Sequence, residues 1–235
     1  MEDIGQYTIA HQHRSQTDIQ LLIFDFDGTL IDSKVDIATS VNLTLTELGL
    51  PCRSPEEIFS FVGDGVKRLL RLSVGEDNLT LYEQALRAFR GHYIAHCVDT
   101  TKFYPGIDAV MHHFSDHVKA IATNKSLDYT LRILEGLGRR DDFAVVECPQ
   151  DSTELKPDPA MLLKILHTLD VQPEQAVLIG DSTNDVRAAQ AAGVKACAVG
   201  YGYGNRDKVA ALKPDFFCER PEELMALFRL SIPLK

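Results

Sequence analysis

The sequence predicts an α/β fold: a doubly wound, parallel, Rossmann-like sheet with an inserted helical cap domain. Short apolar runs of strand length recur along the chain, and helical patterns separate them. One interval of roughly seventy residues holds helical patterns alone, which a simple βα alternation does not explain.

Residues 21–30 (LLIFDFDGTL) open the pattern, an apolar run ending in acidic residues and Gly-Thr, as a buried strand does where it enters a loop. Comparable runs follow at 118–123, 143–147, 176–180 and 195–199, with a weaker one at 215–218. The helical patterns between them, each of about 10–15 residues, supply the crossovers that parallel neighbours require. Between Asp32 and Tyr104 no strand is expected; helices are expected at 34–48, 55–61, 66–73 and 78–97. That is too much chain for one crossover. The expected organisation is a polar leader at 1–20, a catalytic core of 21–31 and 105–235, and a helical cap of 32–104.

Composition narrows the function. Of 235 residues, 45% are apolar and 25% charged, as in ordinary globular chains. A net charge of −10 would repel a polyanion, so no nucleic-acid partner is expected. The five cysteines are odd in number and never spaced Cys-x-x-Cys, which points to a reducing, cytoplasmic setting. No apolar run reaches ~18 residues, so no membrane span is expected. The remaining expectation is a monomer or homodimer acting on a small molecule.

In open α/β sheets, ligands bind beyond the carboxyl ends of the strands. Three predicted strand ends carry Asp25-Phe26-Asp27-Gly28-Thr29, Thr123-Asn124-Lys125 and Gly180-Asp181-Ser182-Thr183-Asn184-Asp185. A fourth station, Lys156-Pro157, precedes a helix. Asp25 and Asp27 are two apart and share a face if the strand continues, while Gly28 permits a turn. Asp181 and Asp185 are four apart at a helix start. Four converging carboxylates need a positive charge, and oxygen ligands without His or Cys suggest Mg²⁺. Such a site recruits phosphate, for which Thr123, Asn124, Lys156 and the backbone around Gly28 offer donors. One carboxylate of the Asp25–Asp27 pair can then attack phosphorus while the other protonates the leaving alcohol.

These four ordered motifs resemble those of the haloacid dehalogenase superfamily. The resemblance implies that Asp25 is the nucleophile and Asp27 the acid that later activates water. It implies a magnesium ion held by the Asp25 carboxylate, the Asp27 carbonyl and Asp181, with Asp185 at or just behind the ion. Thr123, Asn124 and Lys156 would hold the phosphoryl group. The acid at Asp27 favours a phosphatase over a carbon-halogen hydrolase. The segments Asp36 to Asn42 and Phe61 to Leu70, with the Gly200 to Gly204 loop, resemble bacterial phosphoglycolate phosphatases, implying 2-phosphoglycolate as substrate. Gly63, Gly65 and Arg68 would then be the cap's specificity residues. Pyrophosphatases and nucleotide or sugar phosphatases share the core motifs, and an inactive binding module would share the fold. The Gly200-x-Gly202-x-Gly204 run lacks the spacing of a dinucleotide loop.

Overall fold

The computed structural model describes residues 18–75 and 79–230. Strands β1 (Asp18–Ile19) and β2 (Leu21–Phe24) lead through a tight loop into β3 (Ile31–Asp32). Helices α1 (Lys34–Glu47), α2 (Pro55–Phe59), α3 (Val66–Val74) and α4 (Leu79–His96) follow, and β4 (Lys102–Phe103) returns the chain. The remainder alternates: α5 (Ile107–His113), β5 (Val118–Ala122), α6 (Leu127–Gly136), β6 (Val145–Glu147), α7 (Ala160–Leu169) and β7 (Ala176–Gly180). It closes with α8 (Thr183–Ala192), β8 (Lys195–Val199), α9 (Arg206–Ala211), β9 (Phe216–Cys218), α10 (Leu224–Leu227) and β10 (Arg229–Leu230).

The main sheet has the order β6-β5-β2-β7-β8-β9 and is parallel throughout. From β2 the chain passes to β5 on one side and later to β7 on the other, so the order reverses at β2. That reversal opens a crevice where the loops after β2, β5 and β7 meet. The register pairs Leu21 with both Val118 and Ala176, which brings these three strand ends level.

The four residues of β2 are all buried because helices cover both faces of the sheet. Leu22 and Phe24 join one core with Val41, Phe89 and Ile107; Leu21 and Ile23 join the other with Met161, Ile165 and Ala188. Alternate side chains thus serve opposite layers, each fully buried one being worth ~1.5–3 kcal/mol. Local signals set the helix starts. Ser54 caps α2 by accepting from the Glu57 N–H, with Pro55 as the first helical residue. Ser182 and Asp185 form a reciprocal capping box at the start of α8.

Two departures from the sequence expectation concern short pairings. Ile31–Asp32 and Lys102–Phe103 form an antiparallel ladder at the base of the helical insertion, in the stretch where no strand was expected. Asp18–Ile19, assigned to the polar leader, pairs in parallel with Arg229–Leu230; residues 1–17 of that leader lie outside the described residues. Two-residue strands carry no periodicity to read. All five cysteines are free thiols. Among the described residues no helix is long and apolar enough to cross a membrane.

Asp36 fastens the insertion beside its stem. Its buried carboxylate accepts from the Thr100 and Thr101 N–H groups at 2.8–3.0 Å and from both hydroxyls at 2.6 and 2.7 Å. Burial opposes the charged form, but these donors outweigh it and hold the carboxyl below the usual carboxylate range. The stabilisation is therefore present at neutral pH and lost as pH falls through the lowered value. Asp36→Ala should cost about 3 kcal/mol in urea unfolding at pH 7. The gap from wild type should narrow in acid; a cost under about 0.5 kcal/mol would contradict the clasp.

Candidate active site

The crevice at the sheet reversal opens into a cavity of about 110 Å³ walled by the strand-end loops below and the helical insertion above. Asp25 leaves β2 with its N–H bonded to the Ile179 carbonyl, so the neighbouring strand fixes its direction. Asp181 follows β7, and Asp185 lies in the first turn of α8, held by the capping box. Carboxylate oxygens of Asp25, Asp181 and Asp185 lie within 4.8 Å of one another, all three residues buried.

Lys156 makes that burial tolerable. Its ammonium donates to Asp25 Oδ1 at 2.7 Å, Asp185 Oδ1 at 2.6 Å and the Ala122 carbonyl at 2.7 Å, which uses all three hydrogens. Burial alone would lower the lysine, but Asp185 and Asp25 overcome this and keep it charged well beyond its ordinary range. Burial pushes Asp25 up, Lys156 pulls it down, and Asp185 and Asp181 push it up again, leaving it raised. Asp181 is raised by burial and by Asp185, against the N–H groups of Gly204 and Tyr203.

Three carboxylates against one ammonium leave an excess of two negative charges when all are ionised. A divalent cation balances that excess, and an all-oxygen donor set suits a hard ion. Asp185 has both oxygens engaged, one by Lys156 and one by the Ser182 N–H and hydroxyl. Asp181 accepts from the Tyr203 and Gly204 N–H groups on Oδ2 and more weakly from Thr29 on Oδ1. Asp25 keeps Oδ2 free of any protein donor among the described residues.

Glycines let these groups approach. Gly28 has φ +87°, and a Cβ there would come within 2.6 Å of Asp181 Oδ2. Its N–H is spent on the Ile31 carbonyl, so it provides room rather than an anion contact. The Phe26 and Asp27 N–H groups of the same loop have no acceptor among the described residues. A Cβ at Gly204 would clash with the Asp181 carbonyl, which accounts for a glycine at this position of the loop after β8.

The structure separates the fourth carboxylate. Asp27 accepts from Lys125 Nζ on both oxygens at 3.0 Å and from the Ser33 hydroxyl, apart from the other three. Lys125 also donates to Tyr93 of α4 at 2.6 Å, a link that residue spacing alone could not disclose across 32 positions. Thr123 lines the cavity and receives the Lys125 N–H, and its own hydroxyl hydrogen has no acceptor among the described residues. Asn124 is fully occupied: its amide donates to the Gly63 and Lys156 carbonyls and its oxygen accepts from the Lys156 N–H. It borders the cavity and braces the Lys156 loop against the insertion. Gly63 and Gly65 line the cavity. Arg68 does not; it is exposed and paired with Asp64 one helical turn earlier.

Lys156→Met should leave two buried carboxylates without their counter-ion, at a cost of about 3 kcal/mol or more. Urea unfolding with and without a divalent cation checks this, since an added cation should restore part of the loss. Wild-type stability in the variant would show that the carboxylates do not depend on the lysine.

The profile of the haloacid dehalogenase-like hydrolases matches residues 22–199, which span all four motifs. A phosphoglycolate phosphatase of Chromobacterium violaceum is 37% identical over 200 residues, 82% of this chain and 90% of its own length. One from Thiobacillus denitrificans is 35% identical over 205 residues, 84% and 90% of the two chains. A solved structure, a predicted phosphoglycolate phosphatase from Haemophilus somnus, has a TM-score of 0.82 at 28% identity, covering 88% of this chain and 97% of its own. With its motifs placed at the reversal point of a parallel sheet, the chain belongs to the haloacid dehalogenase-like hydrolase family.

Proposed function

We propose that the protein is a magnesium-dependent phosphatase that hydrolyses 2-phosphoglycolate to glycolate and phosphate through an aspartyl-phosphate on Asp25. The observation that carries this reading is the unequal treatment of two carboxylates on one loop. Asp25 has one free oxygen inside the carboxylate cluster, whereas Asp27 is held by Lys125 and Ser33 away from it. Different surroundings suit different tasks.

In this reading Asp25 Oδ2 attacks phosphorus as the ester P–O bond breaks, and Asp27 gives its proton to the departing glycolate oxygen. Water then attacks the phosphoryl group while Asp27 takes its proton; the bond from Asp25 to phosphorus breaks and phosphate leaves. The Asp25 and Asp181 carboxylates and the Asp27 carbonyl would hold Mg²⁺, with Asp185 behind them fixing Lys156. When bound, the ion supplies positive charge against the carboxylates and the phosphoryl oxygens. The free N–H groups of Phe26 and Asp27 and the Thr123 hydroxyl are donors for those oxygens, and Lys156 offsets the charge of Asp25.

Substrate size supports a small ester. A cavity of about 110 Å³ is well below the ~300–1,000 Å³ of pockets that enclose drug-sized ligands, so a nucleotide is disfavoured. Val62, Val66 and Leu69 give the insertion side an apolar wall, which suits a short organic group. The curated relatives described above carry the phosphoglycolate phosphatase name, in accord with this choice. The segment 32–104 serves as the cap, joined to the core by the bonds from Asn124 to Gly63 and from Asn184 to Asp64. Such a closed lid excludes water from the phosphoryl group. A cytoplasmic location accords with five free thiols.

Phosphate release should favour 2-phosphoglycolate over pyrophosphate, a nucleoside monophosphate and a hexose phosphate, should require Mg²⁺, and should fall by about 10³-fold or more in Asp25→Asn. Preference for another substrate would overturn the substrate assignment, and metal-independent release would overturn the mechanism. MgCl₂ should also raise the melting temperature more at pH 8 than at pH 5.5. Asp25 and Asp181 retain protons above the usual carboxylate range, and the cation must displace them. An equal shift at both values would contradict these ligands.

A further inference from the structure

We propose that Lys125, with the phenols of Tyr93 and Tyr129 beside it, forms a subsite for the carboxylate of an acidic phosphate ester. The inference rests on the phosphoglycolate reading and names the residue that would enforce it.

The first argument is an inventory of charge. Lys125 and Lys156 are the lysines lining the cavity, and no arginine lines it. Lys156 has all three hydrogens committed to Asp25, Asp185 and the Ala122 carbonyl. Arg68 is turned outward to Asp64. Lys125 Nζ donates to both Asp27 oxygens at 3.0 Å and to Tyr93 at 2.6 Å, so it faces one carboxylate and a neutral phenol where Lys156 faces two carboxylates. An organic acid entering this cavity therefore meets Lys125 as the less neutralised cation and takes over one of these contacts as it binds.

The second argument concerns the phenols. Tyr93 accepts from Lys125, but its own hydroxyl hydrogen finds no acceptor, and the Tyr129 hydroxyl has no hydrogen-bond partner among the described residues. Both residues are buried, at 1% and 6% exposure, and both line the cavity. Both side chains border the cavity, where an entering acceptor can take the phenol hydrogens. Their rings pack edge to face with centroids 5.0 Å apart, and Tyr93 stacks on Phe89, so they are held in place without those bonds.

The third argument is the geometry of the substrate itself. In 2-phosphoglycolate a single methylene separates the bridging oxygen from the carboxylate carbon. The group that protonates the oxygen and the group that pairs with the carboxylate must therefore be neighbours, and Asp27 and Lys125 are in direct contact. Lys156 stands with the nucleophile Asp25, and Lys125 with the acid that serves the leaving group.

The test compares 2-phosphoglycolate with ethyl phosphate, which lacks the carboxylate, by kcat/KM in the Mg²⁺-loaded protein. Wild type should prefer the acid by about 100-fold or more, since a site that pairs a polar substrate group can reject an analogue lacking it by up to ~10⁴–10⁵. Lys125→Met should bring that ratio below about 5, and Tyr129→Phe should lower it several-fold, mainly through KM for the acid. Tyr129→Phe removes a single oxygen and decides the matter if the lysine variant does not fold. If both rates fall together and the ratio stays, Lys125 only positions Asp27 and the subsite is refuted while the phosphoglycolate reading stands. Absence of any preference in wild type would refute the substrate reading and the subsite with it.

Discussion

A single buried ammonium bears the electrostatic load of the strand-end crevice. Lys156 neutralises part of a carboxylate cluster that the sheet reversal forces together, and each of its hydrogens has a fixed acceptor. Isolated charges in such a setting would protonate or distort the loops. The compensation is incomplete, because three acids face one base, and the remaining charge is what makes the crevice receptive to a dication. The whole chain carries −10, so an anionic substrate approaches against the overall field and is attracted only close to the site.

From that lysine the constraints spread outward. Asn124 spends its whole side chain holding the Lys156 backbone and the Gly63 carbonyl, so the residue that fixes the buried cation also touches the insertion. Lys125, the next residue, joins Asp27 to Tyr93 on α4. Two consecutive side chains after β5 therefore carry both halves of the site to the helical layer. Displacing that layer breaks contacts made by the groups that set the charge around Asp25 and Asp27.

Much of this was legible in the residues. Strand ends follow from apolar runs, so Asp25, Thr123 and Asp181 could be placed on one rim before any coordinates, and the helix expected at 34–48 is found at Lys34–Glu47. The helix start expected between Asp181 and Asp185 is met by α8. What escaped depends on reach across the chain. Lys125 meets Asp27 from 98 positions away, and nothing local distinguishes it from a solvated lysine. Arg68 looked like a ligand contact, yet its i,i+4 partner Asp64 was available in the sequence and won the competition. Asn124 and Gly28 were placed correctly on the rim, but their hydrogen-bonding capacity is consumed by backbone groups that only the folded chain brings near.

The antiparallel ladder of Ile31–Asp32 with Lys102–Phe103 has an architectural consequence. Because the chain departs from and returns to the sheet layer side by side, the two ends of the insertion are separated by about the ~5 Å of paired strands. The insertion therefore enters and leaves through one narrow stem and interrupts no strand of the parallel sheet, so about seventy residues of helical layer are added over the crevice without altering the strand order that forms it.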